Sequence, residues 1–262
     1  MAVGHAVATI LLIVWNGVSN SAFQDSVGDV SRRYETPFTP ADYAFAIWGP
    51  IYLGLLAMAG FGMRRAFASG ADASSGQKWK ARGAFVDQLG VPFLAAQVVC
   101  GLWLWAWLTD AILISLLLMV SLWGLLMRCV VRLDMERWDA PWSIIAFVWW
   151  PMSLYAGWIS VALLANLGAY FASLGLAFVQ TPAWAIALAA LLAIGNIAVV
   201  WTRNMREFSI VAVWALIAVA LNQQGPGASA ALRWTAWGAA GAVFASSALH
   251  GVLRFTWPPP DR

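Results

Sequence analysis

Charge is what this chain has least of. Only 10% of its 262 residues are Asp, Glu, Lys or Arg, while 62% are hydrophobic, against roughly 25% and 45–50% in soluble domains. Mean hydropathy is +0.74. So few charges cannot cover a water-exposed surface, which excludes a soluble fold and leaves an all-α polytopic membrane protein. No acidic or basic residue lies near the middle of any apolar run. Ion-coupled transporters and proton pumps keep at least one such group, because a charge inside lipid is expensive and survives only for function; ion coupling is therefore disfavoured. The two cysteines, Cys100 and Cys129, lie in apolar surroundings without a metal or CxxC spacing and read as small buried hydrophobes. The two histidines, His5 and His250, fall near the ends of apolar runs. They read as packing or interfacial residues, with haem or metal ligation as the rival reading. HExxH, GxSxG, P-loop and dinucleotide fingerprints are missing, as is any basic-aromatic patch for nucleic acid. The sequence speaks to binding and says little about catalysis.

What the chain has in abundance is long apolar runs. Scanning for spans of roughly 17–25 residues gives about eight, at 4–23, 41–63, 91–108, 110–130, 142–172, 183–201, 208–222 and 234–254. The fifth contains Pro151 and is expected to begin with an irregular or kinked turn. The longest polar loop runs from Arg64 to Gly90, and its middle, SGADASSGQ, reads as a flexible linker.

Lys and Arg distribute unevenly between the two sets of loops. With the N-terminus inside, the inner loops hold Arg64, Arg65, Lys78, Lys80, Arg82, Arg128, Arg132, Arg137, Arg203, Arg206, Arg254 and Arg262; the outer ones hold Arg32, Arg33 and Arg233. The positive-inside rule then predicts an even number of spans with both termini cytoplasmic. The net charge of +3 is explained by topology rather than by an acidic partner. The first span lacks a charged n-region and a small-residue cleavage site, so it is expected to be retained.

Tryptophan is the second abundance. Eighteen residues exceed what two interfacial belts absorb, so some must face one another or a ligand. Trp48 and Tyr52 are four apart and share a helix face, with Pro50 between them expected to loosen the backbone. In the fifth span Tyr155, Trp158, Ala162 and Asn166 recur at three- and four-residue spacing. A Trp beside an Ala makes a flat slot, and indole N–H or Tyr O–H groups can fix a polar edge. The alternative is that these rings only pack helices or anchor the interface.

These segments resemble the TspO/MBR family, the tryptophan-rich sensory proteins. That family carries a loop of the type KPxWxPPxW after its first helix, a WxxxY element in the second, a QLxxNxxW-like pattern in the third and YxxWxxxAxxxN in the fifth. Here Thr36 to Tyr43 occupies the loop position; Trp48 and Tyr52 match WxxxY; Gln97 and Trp103 match the third-helix pattern approximately; Tyr155, Trp158, Ala162 and Asn166 match the fifth. Thr36 replaces the usual Lys, Phe38 and Tyr43 stand where Trp is common, and Cys100 falls where Asn is usual. The resemblance covers residues 1–173 and implies a five-helix unit in a bacterial cytoplasmic membrane. It also implies that the unit binds a tetrapyrrole such as protoporphyrin IX or haem, or a sterol, as a ligand rather than an obligatory cofactor. The implied cavity is lined by Trp48, Tyr52, Gln97, Trp103, Tyr155, Trp158, Ala162 and Asn166, under a lid containing Pro37, Phe38, Pro40 and Tyr43.

Residues 174–262 then hold three further spans, expected to pack against that unit. Gly238, Ala242, Ser246 and His250, with Gly241 and Ala245, form a small-residue face suited to close helix approach, and Asn196 is placed to bond across helices. These spans could replace the homodimer contact that shorter relatives make through the third helix; a homo-oligomer is the other expectation. Three functional readings compete: a ligand-binding sensor or carrier, which is preferred; a transporter of small apolar molecules, which would call for a repeat between halves that is not visible here; and a membrane enzyme acting on a porphyrin or prenyl substrate. For the last, only Asp42 and Asp110 stand near helix ends within reach of the presumed cavity, and Asp42 reads better as a residue complementing a helix N-terminus.

Overall fold

The computed structural model describes residues 1–67, 84–224 and 227–256. The linker at 69–77, Lys78, Lys80, Arg82, Arg262 and the side chain of Arg254 lie outside the described residues. Every regular element among those described is helical: α1 (Ala2–Ala22), α2 (Val27–Arg33), α3 (Trp48–Phe67), α4 (Ala84–Leu108), α5 (Ile112–Arg132), α6 (Trp142–Ile144), α7 (Trp150–Ser173), α8 (Pro182–Arg203), α9 (Arg206–Asn222) and α10 (Ala230–Thr256). Short 3-10 turns at Asp42–Ile47 and Ala177–Gln180 lead into α3 and α8, and a π turn at Ile145–Trp149 joins α6 to α7.

Among the described residues, seven helical segments are long and apolar enough to cross a membrane, so the chain is an integral membrane protein. The seventh of the expected spans, α9, has 17 residues, at the lower limit of a membrane-spanning helix, so the count is close to the eight expected. It is buried between α7 and α10. The arginines separate as expected: Arg64, Arg65, Arg128, Arg132, Arg137, Arg203 and Arg206 gather at one end of the bundle, and Arg32, Arg33 and Arg233 at the other, the lid end.

Five long helices close a ring, α3 to α1 to α4 to α5 to α7 and back to α3, and α9 packs on the outside of α7 with α10 and α8 beyond it. Lipid is as apolar as leucine, so such contacts rest on close packing and hydrogen bonds. Gly157 permits one of them: a Cβ there would stand 2.9 Å from the Phe208 carbonyl and 3.1 Å from Val211. The three C-terminal helices cover α7 rather than the third long helix. The outer face of α4, at Val91, Val98, Leu102 and Trp105, stays exposed, so these helices do not replace a contact made there.

Three local expectations change. Pro50 falls in the first turn of α3, where its missing N–H breaks no helical bond, so it starts the helix rather than loosening it. On α10 the packed face is Leu232, Ala236, Ala240 and Val243, while Gly238, Gly241, Ala242 and Ala245 point outward; small size does not choose the inner face where alanine and valine already fit. Asn196 donates to the Leu192 carbonyl of its own helix at 2.8 Å, the local back-bond to a carbonyl four residues earlier that competes with bonding across helices.

Pro151, in contrast, does what was expected. It lies one residue beyond the π turn, in the first turn of α7, since a residue without an N–H cannot complete the preceding ladder, and it receives α3 at Gly54, where a Cβ would lie 3.2 Å from the proline Cβ. α4 is broken at Gly90, with φ +50° and ψ −146°, a conformation open to glycine. Two carbonyls at the break are satisfied from neighbouring helices: His5 Nε2 donates to Gly90 O at 2.9 Å, and Arg132 donates to Asp87 O at 3.1 Å. His5 is thus a buried packing residue. Cys100 and Cys129 are buried free thiols.

Candidate ligand-binding site

A cleft opens at the lid end, between α4, α7 and the segment joining α1 to α3. Trp158, Ala162, Ala165 and Ala169 line it along α7, because residues three and four apart on a helix share a face and the alanines leave a flat floor. Trp103 and Trp107 wall it from α4, Trp48 and Phe45 from the start of α3, and Ser31, Tyr34 and Pro40 from above. Its empty space is about 540 Å³ counting the open mouth. Its enclosed volume is about 40 Å³, far below the roughly 300–1,000 Å³ of small-molecule sites. The cleft is a set of narrow gaps between rings, too small as it stands for a ring-sized ligand.

The rings are held in place. Trp103 and Trp107 stack at 6.1 Å and 23°; Trp107 Nε1 donates to Val27 O of the lid helix at 3.1 Å; Phe45 meets Trp158 edge-on at 6.1 Å. Asn166 Oδ1 accepts from Trp103 Nε1 at 3.2 Å and from Ser115 Oγ at 2.7 Å, and its Nδ2 donates to Ala162 O at 3.2 Å. The amide oxygen therefore has both lone pairs engaged, and Asn166 holds the wall more than it offers itself to a ligand.

Of the residues proposed from sequence, Trp48, Trp103, Trp158, Ala162, Asn166 and Pro40 line this cleft. Tyr52 and Tyr155 stand behind Trp48: Tyr52 stacks on it at 5.2 Å and Tyr155, fully buried, meets it at 6.1 Å. Gln97 faces elsewhere, donating to Thr9 of α1 at 2.9 Å. In the lid, Phe38 is buried, the Pro37 carbonyl accepts from Gln223 Nε2 at 3.0 Å, and Tyr43 turns outward onto Trp214 at 5.0 Å. Sequence reasoning missed Trp107, Ala165, Ala169 and the lid helix. The first three stand three or four residues from Trp103, Ala162 or Asn166 and could have been read from that spacing. The helix is announced by a capping box, in which Ser26 Oγ accepts from Asp29 N–H at 3.2 Å and Asp29 Oδ2 accepts from Ser26 N–H at 2.8 Å.

The rim is ionic. Arg32 bridges Asp29 and Asp42, the latter at 2.9 Å; Arg33 bridges Asp25 and Asp110, the latter at 3.2 Å. Tyr34 O–H donates to Asp110 at 2.9 Å, and burial together with that carboxylate raises its pKa. Both acids considered for acid–base chemistry are thus engaged with arginine, and Asp42 occupies the first turn of its 3-10 helix.

The sequence profile of the TSPO-like proteins matches residues 2–249. The chain belongs to this family. No curated protein and no solved structure matches it. The family match runs through α8 and α9 and most of α10, and α9 reaches the site itself. Trp214 Nε1 donates to Ala44 O at 3.2 Å, Asn222 Nδ2 to Glu35 Oε1 at 2.9 Å and Thr39 O at 3.1 Å, and Ala41 N–H to Ala218 O at 3.1 Å. From the turn before α8, Gln180 Nε2 donates to Glu35 O at 3.0 Å. In this member of the TSPO-like family the lid is fastened by the last third of the chain.

Proposed function

We propose that the chain binds a planar, largely apolar small molecule in the lidded cleft and acts as a membrane receptor or carrier for it. The observation that carries this reading is the grouping of Trp48, Trp103, Trp107 and Trp158 around an alanine floor, since large rigid rings facing a flat apolar surface favour stacking with another ring system. Tetrapyrroles such as protoporphyrin IX and haem, and sterols, are the classes to which the family resemblance points. Occupancy is read out by the lid: a segment that must move to admit a ligand and can refasten to α9 afterwards gives a binding-linked change of state. We assign the arginine-rich end to the cytoplasmic face of a bacterial cytoplasmic membrane, as the positive-inside bias supports.

The test is quenching of tryptophan fluorescence by protoporphyrin IX in detergent. Saturable quenching, with affinity lowered about tenfold by Trp158→Leu (about 1.4 kcal/mol), supports the cleft. Quenching that rises linearly with ligand and ignores the substitution means partition into the micelle and removes the proposal.

A further inference from the structure

The ligand class can be narrowed by charge, an inference that rests on the cleft being the binding site. No side chain lining the cleft is charged, so nothing inside neutralises an anionic ligand group. At the rim the two arginines are each shared between two aspartates, Arg32 with Asp29 and Asp42, and Arg33 with Asp25 and Asp110. Two guanidinium charges against four carboxylates leave this cluster at −2. Glu35, bonded to Asn222, adds another negative charge at the same end. Arg233, the remaining arginine there, lies over the ring of Trp234 at 5.4 Å and is absent from the cluster. The cluster also touches the cleft wall directly, since Asp110 accepts from the Tyr34 hydroxyl and Arg32 and Arg33 stand between the lining residues Ser31 and Tyr34.

We propose that this mouth selects against carboxylate-bearing ligands, and that the cleft takes an uncharged planar ring system in preference to a dianionic one. A ligand carboxylate would have to displace an aspartate from an arginine that already holds two, in a field of like sign. Repulsion of this kind is felt within roughly one Debye length, about 10 Å at 0.1 M salt, and acts through the partly low-dielectric surroundings of a membrane surface.

Two probes of the same ring separate charge from shape: protoporphyrin IX and its dimethyl ester, titrated by tryptophan quenching. At low salt the ester is expected to bind about tenfold more tightly, and raising salt to about 0.5 M should tighten the diacid and leave the ester unchanged. Asp25→Asn combined with Asp42→Asn leaves one carboxylate on each arginine and brings the cluster to neutrality. This pair of substitutions should tighten the diacid about tenfold without moving the ester, whose constant affinity also shows that the lid is intact. Equal or tighter binding of the diacid at low salt, weakened by added salt, overturns the inference while leaving the cleft reading in place. Failure of both probes to saturate overturns the cleft reading and this inference with it.

Discussion

Trp214 of α9 reaches the lid through a single hydrogen bond, its Nε1 donating to the carbonyl of Ala44 at 3.2 Å, while Tyr43 packs edge-on against the same indole at 5.0 Å. Trp214→Phe keeps the ring contact and deletes the bond. Limited trypsin digestion in detergent should then cut after Arg32 or Arg33 several-fold faster than in wild type, because the lid opens more often when one of its fastenings is lost. An unchanged cutting rate would show that the bonds from Asn222 and Gln180 hold the lid without Trp214.

The crossing of α7 and α9 depends on Gly157. Gly157→Ala places a methyl 2.9 Å from the Phe208 carbonyl, and such overpacking costs about 1–3 kcal/mol. Gly124→Ala is the matched control, since nothing lies within 4 Å of a Cβ there and alanine favours helix. Thermal unfolding in detergent should separate the two, with a lowered midpoint for the first and an unchanged or raised one for the second. Equal midpoints would mean the helices part at no cost.

Asn166 is the acceptor for two donors that otherwise face apolar surroundings. Asn166→Leu strands Trp103 Nε1 and Ser115 Oγ, at about 1–3 kcal/mol for each buried unsatisfied group. Ser115→Ala removes a donor together with its need and should cost less. Thermal midpoints in the order wild type, Ser115→Ala, Asn166→Leu are expected; the reverse order would assign Asn166 to the ligand rather than to the wall.

Far from the cleft, Glu136 accepts from Asn204 Nδ2 at 2.9 Å, both residues at φ of 60°. Burial, reinforced by the charge of Glu207 and opposed by Arg206 and Asn204, pushes the Glu136 carboxyl up from 4.5 to about 7. The folded state therefore prefers the protonated form. Its contribution is intact below pH 4.5 and is lost progressively as pH rises to about 7, after which it is level. Glu136→Gln should raise the thermal midpoint at pH 8, leave it unchanged at pH 4.5 and flatten the slope between. A variant that still loses stability over this range would place the titration on another group.

Membrane class, span positions and the second and fifth long helices were legible because hydropathy and three-to-four spacing report directly on lipid and on helix faces. Trp158, Ala162 and Asn166 come together for that reason. Gln97 does not, because α4 is apolar nearly all round and is broken at Gly90, so its sequence contains little to say which face turns inward. Phe38 and Tyr43 illustrate a second limit. Both are aromatic lid residues, yet one is buried and the other meets α9, and the difference is set by helices more than a hundred residues downstream.

That long reach has a consequence for synthesis. Ala41 N–H bonds to Ala218 O, and Gln223 holds the Pro37 carbonyl, so this part of the lid, among the first segments to leave the ribosome, waits for nearly the last helix before it is fully fastened. The ring of five helices can assemble early, with Trp107 and Asp110 already bonded to the lid helix, but the stretch from Glu35 to Ala44 gains its remaining fastenings only once residue 223 has been made, and a ribosome stalled before that point would leave the cleft incompletely closed.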